Sequence, residues 1–205
     1  MDGWTIVDSA EIVHGTFSMK GKVDSVQIVS VFMDGESYMP MVLEEGTIEM
    51  KITPVGFQVK GTPLNDKLSA FISEKNDLDD QIEEASRMES QLIINGTDPE
   101  EARKRAAKKA REITLKVQDM TKTFIKENYE NILGPSVFLM VCESSFPYPL
   151  LTPDLQELYE NAPEIFREDP GVKIYVDKAH ENMEFLKEAE KHRSQMRVER
   201  ADDLP

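Results

Sequence analysis

Apolar and polar positions change rhythm near Gly61. Upstream, they alternate in short runs separated by turn residues. Phe17, Met19, Gly21 and Val23 interleave with Ser18, Lys20 and Lys22, the period-two signature of a strand with one wet face. Trp4 to Val13 is rich in β-branched residues and stops at the turn signal His14-Gly15. Val26 to Met33 is more continuously apolar, as in a strand covered on both sides, and Asp34-Gly35 closes it. Tyr38 to Leu43 reads as the next strand, where Pro40 argues for an edge or a bulge. Ile48, Met50 and Ile52 alternate with Thr47, Glu49 and Lys51, and Phe57 and Val59 make a last short strand. These runs predict an antiparallel sheet or sandwich of about six strands over residues 1–62, with one face covered by a second sheet or by helices.

Downstream the period becomes three to four. Leu64, Leu68, Phe71, Leu78, Ile82, Ala85 and Leu92 form one stripe, broken at Lys75 and Glu89. Asn95-Gly96-Thr97 ends that helix. Asp98-Pro99-Glu100-Glu101 begins another with an N-cap, a proline at N1 and acids in the first turn. Ala102, Ala106, Ala110, Ile113, Val117, Met120, Phe124 and Ile125 mark its inner side. The two should pair as a long antiparallel hairpin over about 64–130. Shorter helices follow to about 192. The first of them, Val137 to Cys142, is apolar enough to be buried on all sides, and 193–205 reads as a tail. The expected class is therefore α+β, with a β part at 1–62 and a helical part at 63–205.

Charge narrows the range of partners. The 205 residues carry 24 basic and 39 acidic side chains, a net charge of −15. Such a surface repels phosphate backbones and anionic headgroups, so no nucleic-acid partner is expected. The single cysteine, Cys142, cannot form a disulfide within the chain. Flanked by Val141, Met140 and Glu143, it reads as a buried, inert thiol. His14, His180 and His192 have no metal-ligand spacing, and the acids from Asp77 to Glu84 lack the glycine of a calcium loop. Neither a metal nor a cofactor is expected. The basic run Arg103 to Arg111 reads first as a solvated helix face, and second as a contact for an acidic partner. Among the 11 methionines, Met33, Met39, Met41 and Met50 cluster in the strand half. Core packing accounts for them; an adaptable apolar groove is the other reading. If a ligand site exists between sheet and helices, Met39, Met41, Phe57 and Phe71 are its candidate lining, for an apolar or peptide ligand. No paired nucleophile and base stand out, so no catalytic residue is named.

Five segments carry a family resemblance. Val7-Asp8-Ser9-Ala10 with His14 to Val23 resembles a "DSA…GxFxFxGxV" hairpin, and Met41 to Ile48 a "VLExGxI" hairpin. Val59-Lys60-Gly61-Thr62-Pro63-Leu64-Asn65-Asp66 resembles a "VxGTPLND" junction, the most specific of the set. Asn128 to Gly134 resembles "ENxxNxxG", and Asp169-Pro170-Gly171-Val172 an "NPxV" helix start. Together they are similar to a domain of unknown function that precedes thioredoxin-like domains in exported bacterial thiol–disulfide interchange proteins, often lipid-anchored. The resemblance implies an extracytoplasmic setting, in the periplasm or cell envelope. It implies a non-catalytic accessory role, with a thioredoxin-like domain or an envelope protein as partner. Any redox activity would belong to a thioredoxin-like domain absent from residues 1–205, and membrane attachment to a lipid anchor missing from them. A homodimer through a sheet edge or the helical hairpin is a further expectation.

Overall fold

The computed structural model describes residues 5–33, 36–53 and 56–202. In chain order the elements are β1 (Gln27–Met33), β2 (Glu36–Leu43), β3 (Glu49–Thr53), β4 (Gly56–Lys60), α1 (Pro63–Ile94), α2 (Pro99–Glu127), α3 (Leu133–Ser145), α4 (Pro153–Glu160), α5 (Glu164–Arg167) and α6 (Pro170–Asp202). β1 pairs antiparallel with β2, and β3 with β4, as separate two-stranded sheets. The expected six-strand sheet or sandwich is therefore wrong. Among the described residues four strands form two small sheets, and helices dominate at 61% of those residues.

The discrepancy lies in residues 5–26. Their central turn forms where expected: His14 and Gly15 take φ of 51° and 77°, and Val13 and Thr16 exchange backbone hydrogen bonds of 2.9 and 3.1 Å. Pairing stops at that single bridge. The register it sets would bring Ile12 opposite Phe17 and Ile6 opposite Val23, pairs that suit a sheet, but also Asp8 opposite Gly21 and Val7 opposite Lys22, which do not. A two-stranded ribbon with no covered face is marginal in water. The segment accordingly runs as an extended, almost wholly exposed arm. β1 is likewise only half-buried, not covered on both sides as its composition suggested. Pro40 of β2 stands opposite Ser30, where the register shifts, in keeping with the irregularity a proline imposes.

The sheets meet the helices at the turn into α1. Asn65 is 1% exposed and reads the backbone of β2: its Oδ1 accepts the Val42 N–H at 2.9 Å and its Nδ2 donates to the Val42 carbonyl at 2.8 Å. The same amide donates to Thr62 Oγ1 at 2.8 Å. Glu44 Oε1 accepts the N–H groups of Leu64 and Asn65 at 2.9 and 3.1 Å, satisfying donors that the first turn of a helix leaves open. Asp66 accepts the Gly61 N–H at 3.0 Å, and the Ser69 hydroxyl donates to the Val59 carbonyl. Gly61 sits at φ 101°, and a Cβ there would fall 2.5 Å from the Thr47 carbonyl oxygen. Around this clasp Val42, Leu68 and Leu133 form a small core with Ile28 and Phe124 against it.

A larger core joins the helices, centred on Phe138 and Phe166, whose rings meet edge to face at 5.4 Å. α1 and α2 are 32 and 29 residues long and pack together along the chain. The turn between them is closed by Gly96 at φ 88° and by Asp98, which accepts the N–H groups of Glu100 and Glu101 at 3.0 and 3.1 Å. Asn128 ends α2 and organises the turn to α3. Its side chain donates to the Phe124 carbonyl at 2.8 Å and accepts from Asn131, which in turn accepts the Leu133 N–H at 2.9 Å. α3 is less enclosed than its composition suggested: Met140 is 41% exposed. α6 keeps a helical backbone through Asp202, across the stretch read as a tail.

Asn65→Ala should cost about 2–4 kcal/mol in urea unfolding, because it strands the N–H and carbonyl of Val42 in a dry core. Asn161→Ala, at an exposed helix end, should cost under about 0.5 kcal/mol. Equal losses would show that the clasp does not hold sheet to helix.

Candidate functional site

A concavity lies between α1 and α2 near their sheet-proximal ends. It is an open groove of about 750 Å³. Phe71 and Leu78 of α1 and Met120 and Phe124 of α2 supply its apolar surface. Phe71 and Phe124 stack with centroids 4.2 Å apart and planes at 26°, so one wall is a rigid aromatic pair. Lys67, Glu74, Lys116, Asp119 and Glu127 bring both signs of charge to its lining. Ala70 and Thr123 are exposed there, and their small side chains leave the groove open.

The residues expected to line a ligand site between sheet and helices are spread over β2, β4 and α1. Phe71 reaches the groove. Met41 is 7% exposed on β2, but Val42 beside it faces Leu68 and Leu133, so Met41 points to the other face of that strand. Phe57 is half-buried on β4, paired with Ile52. The side chain of Met39 lies outside the described residues. The groove residues that sequence reasoning missed, Leu78, Met120 and Phe124, stood in the helical stripes as core positions. The small residues Ala70 and Thr123 on the same faces were the only signal of the groove.

The ionisable groups behave as helix surface. Lys75 pairs with Asp79 at 2.6 Å, and Glu83 with Arg87, within the acidic stretch of α1. In the basic run, Arg103 reaches Glu89 at 3.9 Å, Lys104 pairs with Glu100 at 2.8 Å, and Arg105 with Glu101. His14 forms a turn, and His180 hydrogen-bonds Gln156 at 3.1 Å on the outer surface. Among the described residues no three potential ligands gather to hold a metal ion. No helix there is long and apolar enough to cross a membrane. Cys142 is fully buried in the helical core. Burial, with the charge of Glu143 adding to it, pushes its thiol up to about 12, so it carries no thiolate at neutral pH.

Residues 1–68 match the family model of a domain of unknown function (DUF4369). The match spans the exposed arm, both sheets and the Asn65 clasp, and ends one turn into α1. No curated protein and no solved structure matches the chain.

Cys142 should resist a thiol-reactive disulfide reagent in the native protein at pH 8 and react fully once unfolded, as absorbance at the released chromophore will report. Its folded pKa lies above the unfolded one. The stability it contributes is therefore complete below pH 9 and is lost as pH rises toward 12. Cys142→Ala should make the alkaline fall in urea midpoint shallower. An unchanged slope would mean that other groups, such as the buried phenols of Tyr129 and Tyr175, account for it.

Proposed function

We propose that the chain is a non-catalytic accessory module that docks a protein segment in the α1/α2 groove. The groove carries this reading. It is apolar along its floor, mixed in charge along its lining, and too open to enclose a small molecule. An amphipathic peptide or helix suits such a surface, with apolar anchors on the aromatic pair and polar groups at the rim. The buried, protonated Cys142 favours a supporting role over thiol chemistry by these residues.

The partner we infer is a thioredoxin-like domain or another cell-envelope protein, in the setting of an exported, lipid-anchored thiol–disulfide interchange protein. The motif resemblance across residues 7–23, 41–48, 59–66, 128–134 and 169–172 supports this, as does the family match over residues 1–68. In that arrangement the accessory module positions the redox domain or its protein substrate, and electrons pass elsewhere.

A photo-crosslinking residue at the exposed Thr123 tests this in the native cell. The expected product is an adduct with a thioredoxin-like or other envelope protein, found in the envelope fraction. Ala70→Arg, which fills the groove from an exposed position, should reduce the adduct tenfold or more without moving the thermal midpoint. A purely cytoplasmic distribution would remove the proposed setting. An adduct indifferent to Ala70→Arg would remove the groove.

A further inference from the structure

The outer side of α2 carries cations that the fold does not use. Lys104, Lys108, Arg111 and Leu115 recur at intervals of four and three, so they share one side of the helix, opposite the buried Ala102, Ala106 and Ile113. Lys104 pairs along the helix with Glu100, but Lys108, Lys109 and Arg111 form no ion pair among the described residues. Leu115, beside them, stands 54% exposed. In a chain of net charge −15, the stretch from Arg103 to Arg111 holds six cations and no carboxylate.

The outer side of α6 is the complement. Ile174, Glu181, Phe185 and Glu188 follow one another along it at helical spacing, with Asp177 and Glu184 beside them. It is turned away from Val172, Val176 and Ala179, which hold α6 in the large core. Ile174 and Phe185 stand 71% and 70% exposed. Lys178, the one lysine on this side, pairs with Glu181 at 2.7 Å, and Glu184 pairs with Lys187 at 2.9 Å. Exposed pairs of this kind contribute little and exchange readily for another cation. Glu188 forms no ion pair among the described residues. The acidic stretch of α1, Asp77 to Glu84, has no exposed large apolar side chain, so it lacks the anchors that α6 presents. Lys104 to Leu115 and Ile174 to Phe185 each run about 16 Å. Both sides face outward from one rigid core, so they meet only between copies.

We propose that the outer side of α2 in one copy packs on the outer side of α6 in a second copy and assembles the chain with itself. Leu115 packs against Ile174 and Phe185. Lys108 and Arg111 engage the carboxylates of Asp177, Glu181, Glu184 and Glu188. Charge sets which faces meet: α2 on α2 opposes cation to cation and α6 on α6 opposes acid to acid, so the unlike pair is selected. Each copy gives one face and receives the other, and a reciprocal pair closes as a dimer. The contact leaves the α1/α2 groove free, because Lys116, Met120, Thr123 and Phe124 line that groove from other sides of α2.

Sedimentation velocity on the full chain, at concentrations up to about 100 µM, tests this against a micromolar Kd. At about 50 mM salt the expected mass is at least twice the 23.3 kDa of one chain, falling to one chain at about 500 mM salt as the charges are screened. Lys108→Glu with Arg111→Glu should leave one chain at every concentration. So should Glu181→Lys with Glu184→Lys and Glu188→Lys. An equimolar mixture of these two variants should associate again, because each supplies the charge that the other now lacks. All five positions are exposed, and both variants should keep the circular dichroism spectrum of the parent. A parent chain that stays single at low salt overturns the proposal. So does a charge-reversed variant that associates by itself as the parent does, or a mixture that stays as single chains.

Discussion

The two hydrogen bonds between Asn65 and the backbone of Val42 join the parts of this molecule. A side-chain amide presents a donor beside an acceptor at the spacing of a peptide group, so Asn65 engages β2 as a neighbouring strand would and has a second N–H left for Thr62. It does so from the first turn of a helix. The strand thereby ends against α1 without a third strand, and α1 leaves the sheet in a fixed direction. Gly61 is required because the chain approaches the Thr47 carbonyl too closely for any Cβ. Glu44 and Asp66 complete the arrangement by accepting the amides left over. This is the physical content of the "GTPLND" junction: glycine for the approach, threonine and proline for the helix start, leucine for the small core, asparagine for the strand, aspartate for the turn.

A second asparagine, Asn128, organises the turn by which the chain leaves the hairpin. Asn128 closes α2 on the Phe124 carbonyl and passes the contact through Asn131 to the start of α3. Gly134 packs where a Cβ would fall 2.4 Å from the Asn128 carbonyl oxygen. These two turns fix both sheet-proximal ends of α1 and α2, and between them Phe71 stacks on Phe124. The groove is thus built on two helices held at both turns, with the small residues Ala70 and Thr123 in its lining.

Much of this was legible in the sequence. Asp98-Pro99 started α2 and Pro63 started α1, because capping is local chemistry. Leu68, Phe71, Ile113 and Ile125 were inner residues by periodicity, and they are buried. The arm was not legible. Period two tells which side chains share a face, but not whether anything covers that face. The His14-Gly15 turn formed as its residues demand, yet pairing stops at Val13 and Thr16, as a ribbon with no covered face allows. Asn65 was missed as a structural residue because its partner is 23 positions away. The groove was missed because the stripes say which residues face inward and not how far apart the helices stand.

What the fold leaves exposed is as specific as what it buries. The cores around Phe138 and Val42 are closed by helices and the clasp, and no buried side-chain nitrogen or oxygen among the described residues lacks a partner. Exposed apolar side chains stand along the arm, at Ile6, Val7, Ile12 and Val13 among others, and also on the helices, at Ile94, Ile174 and Phe185. The α1/α2 groove adds the half-buried Leu78, Met120 and Phe124. Scattered apolar exposure is ordinary in a folded chain. The chemistry in this chain is invested in shape and in backbone hydrogen bonding, and its single thiol is held protonated where nothing can reach it.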